Sequence, residues 1–109
     1  MIKTFKTVNL DIENNIATIT LNRPESLNAM NRQLIDDVAQ AFDEANRDKH
    51  AKVIIFTGNG KAFCAGDDRN EHVHPESEAE ARDLVEAIQR ATDAIVFGEK
   101  LVVEIGRAS

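Results

Sequence analysis

Tryptophan and tyrosine are absent from these 109 residues, and five phenylalanines are the only aromatics. Without clustered flat side chains there is no platform on which nucleobases could stack. Positive charge is scarce as well: 13 Lys and Arg against 19 Asp and Glu leave a formal net charge of −6. That balance argues against nucleic acid or an anionic membrane as the main partner, although a small anionic ligand needs only favourable local geometry. The single cysteine, Cys64, excludes an internal disulfide and a cysteine cluster for zinc or iron–sulfur. No apolar run approaches the ~20 residues that span a bilayer. The opening MIKTFKTVNLDIE lacks the continuous apolar stretch of a secretory signal, and its acidic residues disfavour a transit peptide, so the expected compartment is the cytoplasm. Repeats and low-complexity segments are also missing. What is present is an ordinary globular balance, 42% hydrophobic and 29% charged. A chain of this length forms one domain at most and buries roughly 60–70% of the surface it exposes when unfolded.

The apolar pattern divides the chain into elements. VNLDIE and IATITLN are short β-branched runs separated by Asn14 and Asn15, residues that tolerate positive φ, and they predict an antiparallel hairpin. Residues 22–30, NRPESLNAM, form a loop, because Pro24 fixes φ and cannot donate to a ladder. Leu34, Val38, Phe42 and Ala45 then recur at helical spacing, with Asp36, Asp37, Asp43 and Glu44 expected to face away and Asn31 as the cap. VIIF, at 53–56, is apolar without alternation, as expected of a strand covered on both faces. Ser77 and Glu80 have capping-box spacing and open a second helix, whose stripe is Leu84, Ile88, Ala91 and Ile95 and whose C-cap is Gly98. LVVEI, at 101–105, is a last strand. The order β-β-α-β-α-β is that of an α/β fold with parallel strands delivered by helices. After that strand only GRAS follows, so a sheet edge and one face are expected to be open unless a partner or further chain covers them.

One stretch fits neither a surface turn nor a core. AFCAGDD, residues 62–68, sets two adjacent carboxylates directly after small and apolar residues. Ala65 and Gly66 let backbone N–H groups approach a ligand with no side chain intervening, and such donors stabilise negative charge developing on a carbonyl oxygen. The pattern by itself equally describes a packed corner with Cys64 as a small buried hydrophobe.

ITLNRPESLNAMN at 19–31 and VIIFTGNGKAFCAGDD at 53–68 closely resemble the N-terminal part of the enoyl-CoA hydratase/isomerase (crotonase) superfamily. That family shows an LNRP…NA segment and, at this separation, a segment of the form AF, two small residues, G, x, D. The resemblance spans roughly residues 8 to 103. It implies a crotonase-like spiral of ββα units, with residues 1–109 as an N-terminal, apparently truncated portion that binds an acyl-CoA thioester. Coenzyme A would arrive as part of the substrate, with no separate cofactor and no metal. In the family the residue after the motif glycine supplies one oxyanion N–H, which here is Asp67, and 2-enoyl-CoA hydration is the reaction the resemblance favours. Asp68, Arg69 and Asn70 would border the CoA moiety. Ser26, Leu27 and Ala29 would shape its path, with Ala65 beside the adenine end and Gly66 leaving the backbone open. Arg23, Lys61 and Arg69 are candidates to meet phosphates, though each also fits an ordinary solvated charge. The family assembles as trimers and hexamers, which implies a homo-oligomer for a full-length member.

The departures from the family pattern are specific. Many relatives carry a small neutral residue at the place of Asp67, whose carboxylate would oppose an enolate unless it points away. The second oxyanion N–H and the acid/base glutamates of the family follow a strand corresponding to LVVEI, where this sequence has EIGRAS, and Glu104 lies on the wrong element to replace them. The 109 residues alone are therefore expected to be inactive. An inactive fragment or self-association module is one alternative, and another family reaction (isomerase, hydrolase or ring-forming synthase) is a second. Asp67, Asp68, Glu71, His72 and His74 are metal-ligand types, but His72 and His74 share a direction only in extended structure. Cys64 has no evident histidine partner that would make it a nucleophile.

Overall fold

The computed structural model describes residues 1–60, 64 and 76–106. Strands β2 (Val8–Glu13) and β3 (Ile16–Leu21) form the expected hairpin, and Asn14 and Asn15 turn it with φ of 53° and 68°. Two successive left-handed residues give the turn whose twist matches that of the strands it joins. A strand outside the expected order, β1 (Ile2–Thr4), pairs antiparallel with β2, Ile2 opposite Asp11. Its three residues are all exposed and carry no alternation that a sequence pattern could reveal.

Helix α1 (Arg32–Arg47) begins where Asn31 Oδ1 accepts the N–H of Leu34 at 2.9 Å, which satisfies one of the donors left free at a helix start. Leu34, Val38, Phe42 and Ala45 pack into one core with Val8, Leu10 and Ile12 of β2 and Ala17, Ile19 and Leu21 of β3. Each large side chain buried there contributes roughly 1.5–3 kcal/mol. One member of the expected solvent face turns inward. Asp37 is 3% exposed, because its carboxylate accepts the N–H and hydroxyl of Thr7 at 2.9 and 2.7 Å. At the far end of α1, Lys100 Nζ donates to the carbonyls of Ala45 and Asp48 at 2.5 and 2.6 Å. That places a cation on the orphan carbonyls at the negative end of the helix.

Strand β4 (Val53–Gly58) runs parallel to β3, and β5 (Leu101–Ile105) parallel to β4, so the sheet order is β1-β2-β3-β4-β5. Helix α2 (Glu78–Val96), between β4 and β5, packs against α1. Ser77 Oγ accepts the N–H of Glu80 at 3.1 Å, while the Glu80 carboxylate reaches the N–H of Glu76 rather than that of Ser77, a capping box displaced by one residue. Gly98 does not close α2 in the left-handed conformation. The cap is Phe97, with φ −101°, and Gly98 is needed for space: a Cβ there would lie 2.6 Å from the Asn46 amide of α1. The expectation that β4 is covered on both faces also changes. Ile54 and Phe56 are buried beneath the helices, but Val53 and Ile55 on the other face are half-buried. Leu101, Val103 and Ile105, beside them on β5, are 66, 41 and 45% exposed.

Candidate functional site

The carboxyl ends of β3 and β4 are tied into one platform. After β3 the chain makes a single 3-10 turn over Pro24–Ser26, followed by left-handed Leu27 (φ 52°) and Asn28 (φ 57°). Two consecutive non-glycine residues in that region need strong fixing, and Asn28 provides it. Fully buried, it accepts the N–H of Arg23 at 2.8 Å and donates to the carbonyl of Asn59 at 2.9 Å. Asn59 in turn donates its own N–H to Leu21 O. Gly60, at φ +95°, passes so close to Pro24 that a Cβ would sit 3.0 Å from that ring. The loop and the turn after β4 are therefore one unit, placed at the end of parallel strands where α/β sheets bind their ligands.

Beneath this platform an apolar cleft of about 320 Å³ opens between α2 and the sheet. Leu21, Met30, Phe56 and Cys64 line it on one side, Leu34, Ile35 and Val38 of α1 on another, and Leu84, Ile88, Ala91 and Ile95 of α2 on a third. The expected α2 stripe thus faces the cleft, while its Ala91 and Ile95 also pack against the core. Ala87 is the only fully buried residue on α2, and Ile88 remains 45% exposed. Phe56 is held edge-on against Phe42 with ring centroids 5.0 Å apart, which gives the cleft a firm floor. Such a volume, mainly apolar with few polar groups, matches the smaller end of small-molecule sites.

The sequence-derived residues divide into two groups. Ala65, Gly66, Asp67, Asp68, Arg69 and Asn70 lie outside the described residues, as do Lys61 and the acidic and histidine side chains at 71–74. Of the loop residues, Leu27 is 45% exposed and Ser26 half-buried, whereas the side chain of Ala29 is buried. Arg23 is not available at the surface for a phosphate. It is 8% exposed, and its guanidinium donates to the carbonyl of Ala29 at 2.5 Å. Its charge staples the loop. Glu104, set aside in the sequence as sitting on the wrong element, lines the cleft opposite Phe56. Strand parity against VIIF could have placed it there, since residues paired across a parallel ladder share a face. Among the described residues no group of three or more His, Cys, Asp or Glu could hold a metal ion, and no helix is long and apolar enough to cross a membrane.

Electrostatics brace the helices that flank the cleft. Arg32, two residues before Leu34, donates to Asp83, next to Leu84, at 2.6 Å, and also to Asp36 on its own helix at 3.1 Å. The hydrogen bond from Arg32 holds the Asp83 carboxyl below the usual range, and the same bond raises Arg32. Asp48 is lowered by the backbone N–H groups of His50 and Ala51, which it accepts at 2.8 and 3.0 Å in the turn before β4.

Residues 11–105 match the family model for enoyl-CoA hydratase/isomerase. The chain is 49% identical over 53 residues to a protein of Arabidopsis thaliana named probable enoyl-CoA hydratase 1, peroxisomal, which is 49% of this chain and 20% of that protein. It is 34% identical over 90 residues to a trans-2-decenoyl-acyl-carrier-protein isomerase of Streptococcus mutans, covering 83% of this chain and 28% of that one. A crystal structure of an enoyl-CoA hydratase/carnithine racemase from Magnetospirillum magneticum superposes with a TM-score of 0.86 at 29% identity, covering 95% of this chain and 40% of its own. The chain thus spans between 20% and 28% of the length of these two curated relatives and 40% of the solved one.

Proposed function

Because the chain belongs to the enoyl-CoA hydratase/isomerase family, whose model matches residues 11–105, we propose that it forms an acyl-CoA-binding portion of an enzyme that hydrates a 2-enoyl thioester through an enolate. The observation that carries this reading is the apolar cleft at the carboxyl end of β4, where Cys64 lines one wall only two residues before Gly66. A thioester carbonyl delivered to that end would meet the backbone N–H of Asp67, while its acyl chain enters the cleft. As the enolate forms, charge moves onto the carbonyl oxygen. One N–H donor aimed at it contributes about 2.7–4 kcal/mol to the transition state. Ala65 and Gly66 would keep side chains out of that approach, and the reading requires that the Asp67 carboxylate be turned away from the oxygen. Ser26 and the exposed Leu27 border the CoA path with Asp68, Arg69 and Asn70. Ala29, its side chain buried, contributes through the shape of the loop. The substrate brings its own coenzyme A, and the complete enzyme is a cytoplasmic trimer or hexamer.

Water addition also needs a base to activate the water and an acid to protonate the α-carbon. Family resemblance assigns those glutamates, and the second oxyanion donor, to positions after a strand equivalent to β5. The 109 residues by themselves therefore bind the thioester without turning it over. An isomerase would use the same cleft and the same donor and differ in returning the proton to another carbon, and the relative from Streptococcus mutans bears an isomerase name. Calorimetry and a spectrophotometric assay of the 109-residue chain with crotonyl-CoA test the reading together. Saturable binding that is weakened by Gly66→Val, with no turnover above the uncatalysed rate, is expected. Absence of binding would overturn the site. Turnover that Gly66→Val abolishes would overturn the placing of the acid and base outside these residues.

A further inference from the structure

We propose that Glu104 sets the specificity of the apolar cleft, admitting chains with a neutral or cationic end and turning away chains that end in a carboxylate. This rests on the reading that the cleft receives an acyl chain, and it concerns the far part of that chain rather than the thioester. Among the described residues that line the cleft, Glu104 carries the one charged side chain; the others are apolar except for Thr92 and Cys64. Its position is determined by register. Glu104 lies opposite Phe56 in the parallel pairing of β4 with β5, and Phe56 forms the floor against Phe42. Val102, two residues earlier on the same face, packs against the core, so this face of β5 is apolar until it reaches the cleft. Among the described residues no hydrogen bond or ion pair engages the Glu104 carboxylate. It is exposed and therefore hydrated while the cleft is empty.

A chain that enters the cleft displaces part of that water. An ammonium or hydroxyl group at the chain end replaces the lost hydrogen bonds, whereas a methyl end leaves the carboxylate to its remaining solvent. A second carboxylate adds like-charge repulsion inside a space walled by hydrocarbon, where the effective dielectric is below that of water. Neutral thioester chains would enter, and free fatty acids or chains with a terminal carboxylate would be disfavoured. An edge-strand charge has a competing role. β5 is the last strand in the sheet order, and a charge on an edge strand discourages pairing with another chain. That role predicts a change in self-association when Glu104 is neutralised, and no change in which chains bind.

The test titrates the 109-residue chain and its Glu104→Gln variant with decylammonium, decanol and decanoate, each below its micelle concentration, by calorimetry at low and high salt. Exposed charge pairs change binding by a factor of about 1.4 to 5 each. Attraction of one probe and repulsion of the other should therefore separate decylammonium from decanoate by roughly two- to twenty-fivefold at low salt. High salt should shrink that separation. In Glu104→Gln the separation should be clearly smaller than in wild type, the remainder reflecting the overall negative charge. Decanol should bind both proteins alike. Ala91→Trp, which fills the cleft, should weaken all three probes. If the wild-type separation persists in Glu104→Gln, the proposal fails while the cleft remains a chain site. If no probe binds, the cleft reading fails and this proposal with it. Binding that survives Ala91→Trp places the probes elsewhere and overturns both.

Discussion

Asp37 accepts three hydrogen bonds while nearly sealed from solvent: the N–H and hydroxyl of Thr7 on one carboxylate oxygen and the Gln33 amide on the other. The Thr7 N–H lies between β1 and β2 with no strand partner there, so without Asp37 it would be a buried donor left unsatisfied. Asp37→Ala should cost roughly 2–3 kcal/mol, and Asp37→Asn, which keeps an acceptor oxygen, about half of that. Urea denaturation of the two variants checks this. Equal midpoints for Ala and wild type would contradict it. Helical periodicity cannot anticipate such a residue, because it registers only apolarity, and Asp37 is inside for the sake of a polar group distant in sequence. Arg23 is a parallel case. Its charge suggested a phosphate contact, but a buried guanidinium bonded to the Ala29 carbonyl is occupied in holding left-handed Leu27 and Asn28 in place.

Elements were legible wherever a short-range signal specifies them. Asn31 and Ser77 cap their helices through bonds to backbone only three residues on, and the Asn14–Asn15 pair turns its hairpin, all local chemistry. β1 was not legible, because three exposed residues acquire strand form only from their partner β2. The role of Gly98 is not legible for a related reason, since its requirement comes from Asn46 on the other helix. The joint between those helices titrates. Asp83 is lowered by its hydrogen bond to Arg32, so this bond stabilises the fold above the unfolded carboxylate pKa near 3.9 and is lost as pH falls through the lower folded value. Asp83→Asn should therefore lower Tm slightly at pH 7, and the gap from wild type should close between about pH 4 and pH 2. Asp48, lowered by the N–H groups of His50 and Ala51, loses stabilisation in the same window in both proteins and cancels. A gap that widens in acid would contradict the account. Thermal melts across that range decide it.

Among the described residues, five strands carry α1 and α2 on one face, and α2 stands away from that face far enough to leave a cleft. The α/β class and the family were legible because two motifs in register carry them. The cleft was not, because its walls come from β3, the following loop, both helices, β4 and β5, and only the folded sheet brings these together. The family motif explains why β4 is followed by glycine and small residues, and the cleft explains why the α2 stripe is apolar though only partly buried. In the proposed function an acyl chain lies between α2 and the sheet while its thioester sits at the end of β4. Decanoyl-CoA titrated into the methyl-labelled 109-residue chain, followed by NMR, checks this placement. Saturable shifts are expected at Leu34, Ile35, Leu84, Ile88 and Ile95, with Ile2, Val103 and Ile105 on the opposite sheet face unmoved. Shifts confined to Val103 and Ile105, or none that saturate, would contradict it.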